Sequence, residues 1–443
     1  MYLNCHSYHS LRYGTIPLED LIAQAVELNI MAMALTDINT VTGIYEFMKE
    51  CKKANIKPLV GIEFRDNNQL KYIGLATHFK GVGEMNRFRT KHNFEQTLLP
   101  LKAPNFENVI CIYPIDNIPE TLSENEYIGI TSEQLIKLYD AQLLAKISKM
   151  VMLQPVTFRT KKEFNLHKIL RAIDNNILLS KLTESDYCKT SEVMISEKEL
   201  LEKFSDYPEI IENTLKVIEQ CNVEFEFETP RNKKFYTNNE ESDIALLTNL
   251  AKQGLKWRYG DYNNQAQQRV EKELKVINEL KFSGYFLMTW DIIRYSNSCG
   301  FLHIGRGSGA NSIVSYCLGI TDICPIELDL YFERFLNVNR KSPPDFDIDW
   351  SWKERDTILG YIFNRYGAEH VAFCGTNVEF KYRSIFREVG KVFGLPKEEL
   401  DVLAKNPMSL HDGNKIVKLV QEYGMLLEKY PNQRSMHSCG III

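Results

Sequence analysis

The segment PPDFDIDW, from Pro343 to Trp350, alternates acidic and large apolar side chains. Because successive side chains of a β-strand point to opposite faces, Asp345, Asp347 and Asp349 would share one face. A row of carboxylates repels itself unless cations lie among it, and oxygen ligands in this arrangement suit Mg²⁺. The pattern therefore predicts a metal-binding acidic strand. A charged edge strand that resists aggregation is the alternative.

A glycine-rich turn, GRGSGA from Gly305 to Ala310, lies about forty residues before this segment. It follows the strand-like residues Phe301 to Ile304 and precedes a predicted helix from Ala310 to Leu318. Glycines let the backbone approach a ligand, and the amides of such a turn favour an anion such as a triphosphate. Arg306 and Ser308 would add phosphate contacts.

Other interpretations of the glycine turn are weaker. A Walker loop is excluded because no Gly-Lys-Ser/Thr follows, although the pattern formally matches the dinucleotide fingerprint, with Glu327 or Asp329 placed for a ribose contact. A glycine turn without a ligand is also common. Only phosphoryl transfer uses both the phosphate-holding turn and the acidic strand, whereas a dehydrogenase leaves the aspartates unexplained.

The elements around these motifs divide the chain into two parts. The first part alternates helix and strand, with predicted helices at Leu18 to Leu28 and Gly43 to Ala54, each followed by a strand, Ile30 to Leu35 and Pro58 to Phe64. This mixed pattern continues to about Pro230, where a polar connection begins. Beyond it, apolar residues at three- and four-residue steps predict a helix from about Ala266, and a second helix runs from Gly284 to Ser298.

Length and composition limit the class of protein. The chain has 443 residues, of which 44% are hydrophobic and 25% charged, and this indicates an ordinary globular protein of two or three domains. The ten cysteines form no Cys-x-x-Cys pair, so reduced thiols are expected. No apolar run approaches a membrane span and the N-terminus lacks a secretory pattern, so we expect a cytoplasmic protein that contacts no membrane. The net charge of −5 still permits a local basic surface.

Beyond these patterns, the stretch GRGSGANSIVSYCLGITDICPIELDLYFERFLN together with PPDFDIDW resembles the palm of C-family DNA polymerases, the family of the bacterial DNA polymerase III alpha subunit. The similarity runs from Gly284 to His437. It implies an α/β fold with an N-terminal PHP-type (polymerase and histidinol phosphatase) β/α barrel, a nucleotidyltransferase-like α+β palm and a mostly helical thumb. The implied bounds are 1–228 for the PHP-type domain, 229–376 for the palm, 377–433 for the thumb and 434–443 for the start of the return to the palm.

The resemblance also assigns roles to individual residues of the palm. It implies that Asp345 and Asp347 are catalytic carboxylates that bind two Mg²⁺ ions, with Asp349 as a further acid on the strand. It implies that Gly307 and Ser308 hold the phosphates of the incoming nucleotide. The additional phosphate partners would be Arg306, Arg334 and Arg340, for which surface salt bridges are the alternative.

A basic segment follows the palm. Lys381, Arg383 and Arg387 recur at helix-like steps and match the region where the family's thumb holds duplex DNA by its backbone, a contact that does not depend on sequence. A solvated helix face is the alternative.

The first part of the chain resembles the PHP domain, whose active members bind several metal ions for phosphoester hydrolysis. His6, Asp37 and Glu63 match ligand positions. Other ligand positions are altered, because relatives have histidines where this chain has Asn4 and Ile38.

The last ligand positions of the PHP pattern are altered as well. Pro155 and Thr157 stand where active relatives place an aspartate and a histidine. We therefore expect a degenerate domain that holds no metal and has a structural role.

Taken with the resemblance, these features predict a DNA-directed DNA polymerase that acts on primer–template DNA and deoxynucleoside triphosphates. The relatives are longer, and their third catalytic aspartate lies beyond the segment that matches Arg434 to Ile443, so this chain alone is expected to be catalytically incomplete. Contacts with a sliding clamp and other replisome subunits would come from regions outside the chain. A PHP-type phosphoesterase and a non-catalytic replication scaffold are the alternatives.

Overall fold

A computed structural model describes residues 1–66, 68–227, 229, 231–337, 339, 344–406 and 414–443. Within these residues the chain forms two compact units. Unit 1 comprises Met1–Glu226 and Asn377–Ser435, and unit 2 comprises Phe227–Thr376 and Met436–Ile443. The domain bounds predicted from the sequence stay a prediction, but the glycine turn and the acidic segment from Pro344 onward lie in unit 2.

Unit 1 contains an eight-stranded mixed sheet with the order β7-β6-β5-β4-β3-β2-β1-β8. Its parallel strands β1, β2, β3 and β8 place their carboxyl ends at one edge, whereas β4 is antiparallel to both β3 and β5. The strands are β1 (Tyr2–Cys5), β2 (Ala32–Leu35), β3 (Lys57–Asp66), β4 (Gln69–Ala76), β5 (Val109–Pro114), β6 (Glu126–Ile130), β7 (Met150–Met152) and β8 (Pro155–Val156).

The sheet must curl into a barrel-like form, because the connection between its two edge strands is short. Its two edge strands, β7 and β8, are separated only by Leu153 and Gln154, which span about 10 Å at most. Eight strands laid flat would hold their edges ~34 Å apart. The curled α/β sheet predicted from the sequence is therefore present.

Helices cover this sheet with amphipathic faces. Helix α1, for example, buries Leu18, Leu21, Ile22 and Ala25, which recur at helical spacing. The first seven helices are α1 (Leu18–Glu27), α2 (Ile44–Lys53), α3 (Phe79–Glu95), α4 (Ala141–Leu144), α5 (Lys161–Asn175), α6 (Glu197–Lys203) and α7 (Pro208–Gln220). Short 3₁₀ turns lie at Ser132–Tyr139, Ile147–Lys149, Leu179–Lys181 and Glu184–Asp186.

A helical segment late in the chain completes unit 1. It consists of α13 (Tyr382–Val392), α14 (Lys397–Lys405) and α15 (Lys415–Leu426). Its apolar side chains form one buried cluster with Leu166, Ile169 and Leu170 of α5. The region predicted as a thumb is thus mostly helical, and it shares a core with a helix of the barrel domain.

Unit 2 is an α+β structure in which helices surround a two-stranded antiparallel sheet. Its elements are α8 (Glu240–Tyr259), α9 (Asn264–Glu279), α10 (Ser283–Ser298), β9 (His303–Arg306), a 3₁₀ turn (Gly307–Asn311), α11 (Ile313–Cys317), a 3₁₀ turn (Phe332–Arg334), β10 (Asp347–Trp350) and α12 (Trp352–Tyr366). Strands β11 (Ala372–Glu379) and β12 (Pro431–Ile442) pair with each other and carry the chain out of unit 2 and back into it.

Candidate functional site

The glycine turn and the acidic segment meet through the sheet formed by β9 and β10. The antiparallel register pairs Asp347 with Arg306, Ile348 with Gly305, Asp349 with Ile304 and Trp350 with His303. Because Gly307 follows Arg306 directly, this register places the carboxylate of Asp347 beside the turn. The strand begins at Asp347, so Asp345 lies just before it rather than within it.

The acidic side chains share one cationic partner. Arg306 Nε donates to Asp349 Oδ2 at 2.7 Å, and Arg306 Nη1 lies 3.4 Å from Asp347 Oδ2. Asp345 is exposed. The guanidinium predicted to contact phosphate therefore balances the acidic strand, and all of these groups remain open to solvent.

The apolar side chains of the same segment pack inward. The Phe346 ring lies between 5.1 and 5.3 Å, centroid to centroid, from the rings of Tyr285, Phe286 and Phe335. Trp350 Nε1 donates to Ser296 Oγ at 2.7 Å. The alternation predicted from the sequence is therefore present from Phe346 to Trp350, and it fixes the direction in which Asp347 and Asp349 point.

Two glycines of the turn are required by its geometry. Gly307 has φ of +70°, and a Cβ built on it would lie 2.5 Å from Asp347 Oδ2. A Cβ on Gly309 would lie 2.9 Å from Phe346 Cδ1. A larger residue at position 307 would have to adopt a positive φ and displace the Asp347 carboxylate, and one at position 309 would press on the Phe346 ring, so glycine is favoured at both positions.

Two charged residues that the sequence analysis missed contact the end of this turn. Arg269 and Glu273 lie one turn apart on α9, and Glu273 is completely buried. Their spacing relative to Val270 and Leu274 places them on the buried side of the helix. A charged residue at a core position of a helix is the sequence signal that could have identified them.

The remaining basic residues predicted for the site lie in different surroundings. Arg334 is exposed in its 3₁₀ turn, and Arg340 lies outside the described residues. In unit 1, Lys381 and Arg383 are exposed at the start of α13, whereas Arg387 Nη2 donates to Asp401 Oδ1 at 2.6 Å.

A second polar cluster lies at the carboxyl ends of the parallel strands in unit 1. Asn4 and His6 belong to the end of β1, Asp37 follows β2, Glu63 lies in β3 and Thr157 follows β8. All five side chains are buried. The topology thus brings together the PHP remnants His6, Asp37 and Glu63 named from the sequence.

Glu63 is held entirely by protein groups. Its Oε2 accepts from Asn4 Nδ2 at 2.8 Å and lies 2.9 Å from His6 Nε2, and its Oε1 accepts from Arg65 Nε. Burial raises the pKa of Glu63, but the Arg65 guanidinium and His6 outweigh this and lower it to about 2. The Arg65 guanidinium also lies 4.4 Å from the centre of the Tyr13 ring.

Asp37 likewise has protein partners for both oxygens. Oδ1 accepts from the Ser7 amide at 2.8 Å and from Ser10 Oγ at 2.6 Å, and Oδ2 accepts from Ser7 Oγ at 2.7 Å. Burial raises the pKa of Asp37 above its ordinary value, although these hydrogen bonds oppose the change.

Two protein families match successive parts of the chain. The PHP domain family matches residues 3–230, and the family described as the bacterial DNA polymerase III alpha NTPase domain matches residues 245–443. The chain belongs to the PHP domain family, and over its full length it is similar to bacterial DNA polymerase III alpha subunits. It is 30% identical to an error-prone DNA polymerase of Symbiobacterium thermophilum, with 98% of this chain and 44% of the relative covered.

Two further polymerase III alpha relatives match the whole chain. The DNA polymerase III subunit alpha of Halalkalibacterium halodurans is 29% identical and that of Bacillus subtilis 28%, each over 100% of this chain and 44% of the relative. The chain therefore spans less than half the length of the curated relatives it matches.

The acidic segment of unit 2 is suited to a hard cation. Asp347 and Asp349 offer carboxylate oxygens that already share a cationic partner, and both side chains are accessible to solvent. The similarity to DNA polymerases implies the use of divalent metal ions in general. In the described part of the chain, no three His, Cys, Asp or Glu side chains are grouped closely enough to hold an ion by themselves.

None of the helices in the described residues has the length and apolar character needed to cross a bilayer.

Proposed function

We propose that unit 2 carries the nucleotidyl-transfer site of a DNA-directed DNA polymerase. In the proposed reaction the 3′ hydroxyl of a primer attacks the α-phosphate of a deoxynucleoside triphosphate, and pyrophosphate leaves. The family comparison supports this proposal, because the match to the polymerase III alpha NTPase domain includes both motifs.

The observation that carries the proposal is the β9–β10 register. It brings Asp347 next to Gly307, so an acid and a phosphate-sized turn converge on one point. The proposal predicts that Gly307 and Ser308 hold the triphosphate through the backbone of the turn. Arg306 is placed to exchange its carboxylate partners for phosphate oxygens, and Arg334 is exposed and could serve as a second phosphate partner.

Asp345 and Asp347 would hold two Mg²⁺ ions, with solvent and phosphate oxygens completing the coordination. Bound there, the ions would lower the pKa of the primer hydroxyl and neutralise the leaving pyrophosphate. The role of the chain's own residues is positional. Phe346 fixes the acidic segment in its apolar pocket, and Gly309 allows the turn to lie against that ring.

For the barrel we propose a structural role without metal. The chemistry of the donor set supports this, because His6, Asp37 and Glu63 each have protein partners. Arg65 supplies the positive charge that a metal ion would otherwise bring to Glu63. The phosphoesterase alternative is not favoured, because the ligand positions at Asn4 and Thr157 hold an amide and a hydroxyl.

The proposed partners are primer–template DNA and deoxynucleoside triphosphates. Lys381 and Arg383 are exposed at the start of α13 and suit contact with a DNA backbone, and Arg387 would have to leave Asp401 to join them. A sliding clamp and other replisome subunits are further expected partners. The predicted cytoplasmic location stays a prediction.

Primer extension by the complete polymerase would test the proposed function. We expect Asp345→Asn and Asp347→Asn each to reduce extension by at least ~10³-fold, because the carboxylates act on charge that develops in the transition state. Asp261→Asn is the matched control, since Asp261 is an exposed acid of unit 2 paired only with Lys256 at 3.1 Å.

Each alternative predicts a different result. Extension that survives both palm substitutions would contradict the proposal. Hydrolysis of the primer 3′ end that is lost on His6→Ala would indicate a phosphoesterase instead. If both activities are absent under all conditions, a scaffold role would be favoured.

A further inference from the structure

A charged pair on α9, formed by a buried glutamate and a partly exposed arginine, anchors the far end of the glycine turn. Glu273 is fully buried, and its Oε2 accepts from Ser312 Oγ at 2.8 Å and from the Val314 amide at 3.3 Å. Its Oε1 accepts from Arg269 Nε at 2.8 Å. The carboxylate therefore fixes the residues at which the turn becomes α11.

Arg269 extends this anchor to the turn itself. Its Nη2 donates to the carbonyl oxygen of Asn311 at 3.2 Å and to that of Leu330 at 2.7 Å. Asn311 Nδ2 in turn donates to the carbonyl oxygen of Ser308 at 3.0 Å. A continuous set of hydrogen bonds thus joins α9 to the backbone of Ser308, the residue placed to contact phosphate.

Stability alone does not account for this arrangement. Replacing a buried ion pair with apolar residues of similar size is often neutral or stabilising, because desolvation of the charges is costly. Burial also raises the pKa of Glu273, a sign of that cost. The start of α11 also has a local cap, since Ser312 Oγ accepts from the Ser315 amide at 3.1 Å. What the pair adds is a fixed path for the backbone between Ser308 and Ser312.

We infer that Glu273 and Arg269 are positioning residues that hold the glycine turn in the shape that receives the nucleotide triphosphate. The inference rests on the proposed function and deepens it. Neither residue would touch the nucleotide or the metal ions. Their effect reaches the phosphates only through Asn311, Ser312 and the backbone of Ser308.

Two equilibrium titrations on the whole chain separate this role from general stability. Mn²⁺ alone, followed by electron paramagnetic resonance, reports the acidic segment, and dATP in saturating Mn²⁺ reports the turn. We expect Glu273→Gln to weaken dATP binding about tenfold, or ~1.4 kcal/mol, while Mn²⁺ affinity stays within about twofold of wild type. Arg269→Lys keeps the charge beside Glu273 but loses the forked contacts, and it should weaken dATP several-fold.

Glu279→Gln is the matched control. It makes the same substitution on the same helix, where Glu279 forms only an exposed pair with Lys275 at 3.9 Å. We expect it to change neither titration. Thermal unfolding of each variant, followed by circular dichroism, verifies that the compared chains are folded.

Unchanged dATP affinity in both Glu273→Gln and Arg269→Lys would overturn the inference. An equal loss of Mn²⁺ and dATP affinity would also overturn it, since a general defect of unit 2 would then suffice. Failure of the proposed function looks different. In that case the wild-type chain would bind no dATP, or Asp347→Asn would leave dATP binding intact.

Discussion

Replacing Arg65 with methionine should destabilise unit 1 and reverse the way its stability depends on pH. Glu63 is completely buried, and the Arg65 side chain is only 15% exposed. Methionine fills similar space without charge, so the carboxylate would keep only Asn4 and His6 as partners. Removing one partner of a buried ion pair typically costs 3–5 kcal/mol, and we expect a loss of about that size at pH 7.

The pH dependence follows from the pKa of Glu63, which is lowered from 4.5 to about 2 in the folded chain. At ~1.4 kcal/mol per pH unit this gap corresponds to about 3 kcal/mol. In the wild type that stabilisation is fully present above pH 4.5 and is lost as the pH falls toward 2. In Arg65→Met, burial should instead raise the pKa of Glu63 above 4.5. The variant should therefore regain stability as the pH falls from 7 toward 4.5.

Urea unfolding at pH 7, 5.5 and 4.5 would measure both effects. All four tryptophans, Trp257, Trp290, Trp350 and Trp352, lie in unit 2. A transition seen by circular dichroism but not by tryptophan fluorescence therefore belongs to unit 1. Lys198→Met is the control, because its pair with Glu202 is exposed and should change stability by no more than ~0.5 kcal/mol. A loss below ~1 kcal/mol for Arg65→Met, with the pH dependence of the wild type, would refute the reasoning.

Two further predictions concern the turn and the barrel. Gly307→Ala should destabilise unit 2 by ~1–3 kcal/mol and abolish dATP binding in the Mn²⁺ titration, because of its positive φ and the short distance from its new Cβ to Asp347 Oδ2. Gly360→Ala, in helix α12 with open space around its Cβ, should instead stabilise by up to ~1 kcal/mol, and equal effects of the two would contradict the geometry. In the double variant Asp345→Asn, Asp347→Asn, calorimetry should detect no stoichiometric Zn²⁺ or Mn²⁺ site. One equivalent bound, and lost on adding His6→Ala, would show a metal centre in the barrel.

Periodicity located several helices close to their actual bounds. The helix predicted from Leu18 to Leu28 ends one residue earlier, at Glu27, and the one predicted from Gly284 to Ser298 begins one residue earlier, at Ser283. Helix α1 has a strong apolar stripe, which is the most reliable local signal, whereas α10 is buried over most of its surface. The prediction of a single α-helix from Ala310 to Leu318 was wrong. Residues 307–311 form a 3₁₀ turn, and α11 starts only after Ser312.

The cause of that error lies far away in sequence. Glu273 accepts from Ser312 and Val314, about forty residues later, and thereby sets where the turn ends. No local window contains this information. The same limit applies to the start of β10, since pairing with β9 begins only at Asp347.

Arg65 could have been found from the sequence. It lies two residues after Glu63, directly after the strand predicted from Pro58 to Phe64, and residues two apart share a face if the strand continues. Where a domain has lost metal ligands but keeps a buried acid, some other cation is expected to balance the charge of that acid. The hydroxyl partners of Asp37, from Ser7 and Ser10, could not be identified in this way, because loop conformation decides their direction.

Because unit 1 is built from two separate segments of the chain, shortening the gene would remove part of its core. An expressed piece that stops near residue 226 would retain every barrel strand but lose α13, α14 and α15. It would then expose Leu166, Ile169, Leu170 and Ile173 of α5, all of which are at most 5% exposed in the intact chain. Such an exposed apolar surface favours aggregation in the expression host. An isolated barrel would need residues 377–435 grafted on through a linker to remain in solution.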